Sequence, residues 1–205
     1  MEVFFVRHGE TDGNVARRHQ HEETSLNEVG RAQAALVAEK VARLSPTHII
    51  SSTQLRAVET TRVIAAAADC IPETNALFTE LSRPAWLTGH RFVGLTTIAY
   101  VTAWFFKSSI TGAESYNDFR TRIIAARALL ETYPSDARIV VVSHSVFINI
   151  FIEHLCLDTR MSLFQAARTF LRIFTLRNTA IVHLSYSKGK NMCNWTVVTR
   201  ELDVS

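Results

Sequence analysis

A three-layer α/β fold, α/β/α with a mostly parallel central sheet, is predicted by three features of this 205-residue chain. Short apolar runs at residues 2–6, 48–51 and 139–142 alternate with longer segments whose apolar positions recur at helical spacing. The run Ile139-Val140-Val141-Val142 is continuous, as in a strand covered by helices on both faces. Residues 179–186 and 194–200 alternate apolar and polar side chains, the pattern of half-buried strands. With 47% hydrophobic residues, the chain can bury roughly 70% of the surface its unfolded form exposes, so one domain over 1–205 is expected.

Taken in order, strand 2–6 runs into a polar loop through Gly13. A helix follows at about 27–44, where Val29, Ala32, Leu36, Val37, Val41 and Leu44 fall on one side behind a capping Asn27. Strand 48–51 leads to a helix over about 53–68, capped by Ser52 or Thr53. Residues 70–112 are the least regular part, broken by Pro72, Pro84, Gly89, Gly94 and Gly112, and 82–112 reads as an irregular apolar lid-like insertion. A helix at about 114–133, the strand at 139–142 and a helix opening at Ser145 complete the pattern before the final strands.

Composition narrows the partners. The balance of 22 Lys+Arg against 19 Asp+Glu gives +3 with the basic residues scattered, which argues against nucleic acid. The longest apolar stretch, Phe92 to Phe106, is interrupted by Gly94 and three threonines and falls short of the ~20 residues that cross a bilayer, so no membrane partner is expected. Cys70, Cys156 and Cys193 show neither a disulfide framework nor a metal-ligand spacing. No basic leader precedes Val3-Phe4-Phe5-Val6, and a reducing, cytoplasmic location is expected.

In a parallel sheet, ligands collect beyond the carboxyl ends of the strands. Arg7-His8 follows the first strand, Ser51-Ser52 with Arg56 the second, and Ser143-His144-Ser145 the third. Each has an ordinary structural reading alone. Together, at the same end of three strands, two arginines and two histidines suit a phosphate, because guanidinium groups bind phosphate oxygens bidentately and stay charged.

The motifs carry a resemblance. Arg7-His8-Gly9-Glu10-Thr11 with Asn14, Arg18 and Gln20, Leu26-Asn27-Glu28-Val29-Gly30 with Gln33-Ala34, Ser51-Ser52 with Arg56-Ala57 and Thr60, Gly112-Ala113-Glu114-Ser115, and Ser143-His144 follow one another over residues 7–144. This series resembles the histidine phosphatase (phosphoglycerate-mutase-like) superfamily, phosphatase branch. The resemblance implies a phosphoglycerate-mutase-like fold and a metal-independent phosphomonoesterase without cofactor. Its nucleophile would be His8, Nδ1–H held by a backbone carbonyl. Arg7, Arg56 and His144 would cradle the phosphoryl oxygens, and Asn14, Arg18, Gln20 and Ser145, at a helix start, would add substrate contacts. Glu80 would be the proton donor, its pKa raised by a dianionic ester and apolar neighbours. The substrate would be a small phosphorylated metabolite. A phosphomutase of the same fold and a catalytically silent phosphate-binding domain are the alternatives.

Three departures from the family pattern stand out. Ser82-Arg83-Pro84-Ala85-Trp86-Leu87-Thr88-Gly89 replaces the family's GxWEG after the acid, and the glutamate-arginine-histidine-tyrosine-glycine sequence of the glycolytic mutases is absent. His144 is followed by Ser145 instead of glycine, a serine able to cap its helix. The aromatic segment 92–106 reads as a lid favouring apolar leaving groups, as a homodimer face or as core, and periodicity does not separate these.

Overall fold

The structure, a computed structural model, describes residues 1–106, 109–189 and 193–201. Its elements are β1 (Glu2–Arg7), α1 (Asp12–Val15), α2 (Glu28–Arg43), β2 (His48–Ser51), α3 (Leu55–Ala68), β3 (Pro72–Thr74), α4 (Leu95–Phe106), α5 (Tyr116–Leu130), β4 (Arg138–Ser143), α6 (Ser145–Glu153), α7 (Leu163–Thr175), β5 (Ile181–Tyr186) and β6 (Trp195–Thr199). They form a six-stranded sheet in the order β3-β2-β4-β1-β5-β6. The first four strands of that order run parallel, while β5 is antiparallel to β1 and to β6.

Strand periodicity divides the core. Successive side chains of a strand face opposite sides of the sheet. Val3, Phe5, Ile50, Ile139 and Val141 accordingly join one apolar cluster with Phe119, Ile123, Phe147 and Phe151 of α5 and α6. Phe4, Val6, Ile49, Val140 and Val142 join the other, with Val37, Ala38 and Val41 of α2 and Ala57 and Ile64 of α3. Both faces are therefore filled, and the three layers follow from the sequence pattern.

Helix ends are set by short polar side chains. Asn27 accepts from Gly30 N at 2.7 Å to start α2, and Ser115 and Asp118 form a reciprocal capping box at α5. The first turn of α2 lies directly on the loop after β1: a Cβ on Gly30 would come within 2.0 Å of Glu10 O, and one on Gly9 within 2.5 Å of Gly30 O.

Several elements differ from the sequence reading. The polar loop read through Gly13 ends in the one-turn α1, boxed by Thr11 and Asn14. The irregular middle holds the edge strand β3 and a regular α4, and α7 lies where no helix was read. Cys156 and Cys193, read as unpaired, are joined as a disulfide with a Cα–Cα distance of 5.3 Å. Their 37-residue separation carries no motif, because the pairing is made by the segment after α6 meeting the segment just before β6. The inference of a reducing compartment loses that part of its support. No helix among the described residues is long and apolar enough to cross a membrane.

Segment 92–106 is split between surfaces. Tyr100 and Trp104, one turn apart on α4, are buried with Phe105, whereas Leu95, Ile98 and Phe106 are exposed.

The contact between α2 and the β1 loop gives a direct test. Gly30→Ala must displace backbone, and an overpacked methyl of this kind costs about 1–3 kcal/mol. A clear fall in the urea midpoint is expected; an unchanged midpoint would show that the two segments are not held together this closely.

Candidate functional site

Strand order brings the chemistry together. β4 lies between β2 and β1, with Arg7 opposite Ser143 and Ser51 opposite Val142. The ladder continues one step further, His8 N donating to Ser143 O and Ser52 N to Val142 O, both at 3.0 Å. His8, His144 and Ser52 therefore leave three adjacent strand ends side by side. The two imidazoles are 5.1 Å apart, and His144 Nε2 lies 2.8 Å from Ser52 Oγ.

His8 is 4% exposed, and its Nδ1 is 2.7 Å from Gly9 O. Bonded there as a donor, Nδ1 leaves Nε2 with its lone pair. Gly9 N donates to Thr60 Oγ1 at 3.0 Å, and that hydroxyl donates to Arg56 O at 2.8 Å, so α3 is locked to the histidine loop. Arg56 stands in the first turn of α3, donating to His21 O at 3.1 Å and to Gln54 Oε1. Arg7 ends β1 and donates to Leu176 O. The Nε atoms of Arg7 and Arg56 and the Nδ1 of His144 are buried without a hydrogen-bond partner among the described residues.

Glu80 reaches this centre from the segment between α3 and α4. Its carboxylate accepts from Leu81 N at 3.0 Å, from Phe147 N at 3.1 Å and from Val146 N at 3.2 Å. The amides at the start of α6, expected to face a phosphate, are thus taken by Glu80. Ser145 does not cap α6: His144 is the N-cap, and Ser145 Oγ donates to Ile173 O at 2.6 Å. The serine is turned away by α7, which the sequence reading did not include.

Arg7, His8, Glu80, Arg56, Asn14, Gln20, Arg18 and Ser145 line one cavity of about 930 Å³. His144 is not part of its lining; it lies fully buried beside His8. Asn14 Oδ1 accepts from Thr11 N and from Asn178 Nδ2. Gln20 accepts from Thr11 Oγ1 at 2.6 Å and fills the space over Gly13. Arg18 is exposed at the outer rim and donates to Gly89 O. Away from the histidine the wall turns apolar, with Phe92, Tyr100 and Trp104 on one side and Val146, Ile150, Ile173 and Phe174 on the other.

Sequence reasoning missed Asn178, whose Nδ2 donates to His8 O at 3.0 Å, and it missed the α7 wall. Attention to strand carboxyl ends hid Asn178, because β5 is antiparallel and its amino end lies at this same edge of the sheet. The Arg177-Asn178-Thr179 segment just ahead of the alternating run was the available signal. Of the other histidines, His154 is buried between Tyr116 Oη and Leu157 O, and His48 packs edge-on against Tyr133.

Burial dominates the electrostatics. It holds His8 well below the usual imidazole range, helped by Arg56 and Arg7 and opposed by the bond to Gly9. His144 is lowered in the same way by burial, then by Arg56 and His8. Arg56 is pushed down to about 10 by burial, with Glu80 opposing, and remains charged at neutral pH. Arg7 is also lowered by burial against the pull of Glu80.

Below about pH 6.5 the unfolded chain takes up protons that folded His8 and His144 refuse. Their contribution to stability is complete above that pH and is lost as pH falls, by at most about 1.4 kcal/mol per pH unit for each histidine. Urea unfolding at about pH 7.5 and 5.5 should show this loss, and replacing both residues with Gln should reduce it, the remainder coming from His19 and His154, which burial also lowers. A wild type equally stable at both pH values would contradict neutral burial.

Comparison with known proteins agrees with this geometry. The family model for the histidine phosphatase superfamily (branch 1) matches residues 3–199. The probable phosphoglycerate mutase GpmB of Proteus mirabilis strain HI4320 is 34% identical over 214 aligned positions, covering 100% of this chain and 94% of that protein. The protein of the same name from Salmonella choleraesuis is 31% identical over 100% of this chain and 94% of its own. Among solved structures, a putative α-ribazole-5'-P phosphatase of Escherichia coli K-12 superimposes with a TM-score of 0.77 at 18% identity, covering 98% of this chain and 97% of that one. A mycobacterial glucosyl-3-phosphoglycerate phosphatase in complex with VO3 gives 0.74 at 22% identity, covering 98% and 99%. The chain belongs to the histidine phosphatase superfamily.

Proposed function

We propose that this protein is a phosphomonoesterase that acts on a small phosphorylated metabolite through a phosphohistidine at His8, without a metal ion. The observation that carries this reading is a neutral, buried His8, Nδ1 tied to Gly9 O, on the wall of a cavity it shares with Arg7, Arg56 and Glu80. Buried N–H groups without partners are costly, and the Nε–H groups of Arg7 and Arg56, two residues that line the cavity with His8, have none among the described residues. Phosphoryl oxygens would satisfy them. The positive charge that the transition state requires then comes from two guanidinium groups.

In the first step His8 Nε2 gives its lone pair to phosphorus as the ester P–O bond breaks, and the leaving oxygen takes the proton that Glu80 carries in the substrate complex. Glu80 is then a carboxylate held by Val146 N and Phe147 N at the positive end of α6. In the second step water gives its proton to Glu80 and attacks phosphorus, the N–P bond breaks, and inorganic phosphate leaves with His8 neutral again. Asn178 acts as a positioning residue, tying His8 O to Asn14.

The relatives named probable phosphoglycerate mutase favour a second reading, in which a second alcohol takes the phosphoryl group instead of water. Absence of the mutases' sequence after the acid supports hydrolysis. Release of inorganic phosphate, measured against transfer between added alcohols, separates the two.

His8→Ala should abolish both turnover and covalent labelling by substrate, a label that is acid-labile and base-stable in the wild type. Substantial residual turnover in that variant would rule out the mechanism. Arg56→Ala should lower kcat by on the order of 10²–10³, with Arg56→Lys recovering little because one ammonium does not reproduce a fork. A loss under about tenfold would remove Arg56 from the phosphoryl site.

A further inference from the structure

Arg83 is the partly buried arginine of this cavity that the proposed chemistry leaves unused; Arg17, Arg18 and Arg91, which also line it, are exposed. It comes three residues after Glu80, in the stretch where the sequence departs from its family, and its side chain is 20% exposed. Its Nη2 lies 4.0 Å from Glu80 Oε2, beyond hydrogen-bond length, and its guanidinium makes no hydrogen bond to any described residue. It lines the main cavity and also a smaller hollow of about 200 Å³ on the side of His19 and Gln54. A largely buried arginine held only by a long ion pair with Glu80 has its hydrogen-bonding fork free for a second anionic group.

A second uncommitted group faces the same charge. Tyr100 of α4 is 4% exposed, and its hydroxyl is buried without a partner among the described residues. Burial pushes its pKa up to about 12, against the opposing influence of Arg83, so it stays an O–H donor. Arg7 and Arg56 serve the phosphoryl group, and Glu80 marks where the ester oxygen is protonated. What Arg83 and Tyr100 hold therefore belongs to the alcohol. The surrounding wall is apolar: Trp104, Val146, Ile150 and Phe174.

Resting on the phosphatase reading above, we propose that Arg83 and Tyr100 form a subsite for a carboxylate on the leaving group. The substrate class is then a phosphate monoester of an apolar alcohol that bears one carboxylate. One cation and one neutral donor match a single negative charge better than a second phosphoryl dianion. The sequence alone pointed to a purely apolar leaving group; such an ester would leave Arg83 beside hydrocarbon with only the long ion pair to Glu80.

The test compares 3-carboxyphenyl phosphate with 3-carbamoylphenyl phosphate, its neutral counterpart of similar shape. A charge-assisted contact predicts kcat/KM about tenfold higher for the carboxylate in the wild type, carried mainly by KM. Arg83→Gln should bring the ratio near one, Tyr100→Phe should lower it by less, and Arg83→Lys should retain part of it. Thermal melting of each variant shows whether it is folded, and Tyr100→Phe, which removes an unpartnered hydroxyl, should melt no lower than wild type. Equal kcat/KM for both esters in the wild type overturns the subsite alone. Equal losses on both esters in Arg83→Gln also overturn it, placing Arg83 on Glu80 or the phosphoryl group. Turnover of neither ester, with no labelling of His8, overturns the phosphatase reading and the subsite with it.

Discussion

Burying two guanidinium groups beside two imidazoles is the constraint around which this structure is arranged. Removing such charges from water is costly unless they find partners. Here the resting partners are backbone carbonyls: Leu176 O for Arg7, His21 O for Arg56, Gly9 O for His8 Nδ1. Carbonyls carry no net charge, so the positive field is only partly answered, by Glu80. That unanswered field does two things. It adds to burial in keeping both imidazoles neutral, and it leaves a place prepared to stabilise an anion.

The rigidity this requires comes from the sheet. Because Val3 to Val6 and Ile139 to Val142 are buried on both faces, β1 and β4 have no freedom to slide, and a one-residue slip would reverse every side chain. The ends of β1, β4 and β2 are therefore fixed laterally. Thr60 then ties α3 to Gly9, and Asn178 ties the start of β5 to His8. Each site residue hangs from an element whose register the core has already set.

This division explains what could be read from the sequence. Continuous apolar runs announced β1, β2 and β4, and short polar caps announced α2, because both signals are local. The positions of His8, Arg56 and Glu80 followed from strand ends and from family motifs. Asn178, Ser145 and the Cys156–Cys193 pair depended on where α7, β5 and β6 settle, which no local pattern encodes. Ser145 shows the difference: its position and chemistry suit a cap, yet Ile173 O of α7 claims the hydroxyl. Arg83 was visible as a departure from the family pattern, but its uncommitted fork is a property of the cavity and not of the sequence.

Segment 92–106 was expected to be lid, interface or core, and α4 shows why the choice was too narrow. A helix distributes consecutive residues over all its sides. Tyr100 and Trp104 contribute to the core and to the cavity at once, while Leu95, Ile98 and Phe106 remain on the surface. Trp104 also stacks edge-on against Tyr116 of α5, so the cavity wall is continuous with the packing of the helical layer. Tyr100 and Trp104 thus hold this part of the wall to the core. Discrimination among leaving groups on this side would then be set by the shape and the donors the wall already presents, with little of the binding energy spent on ordering it.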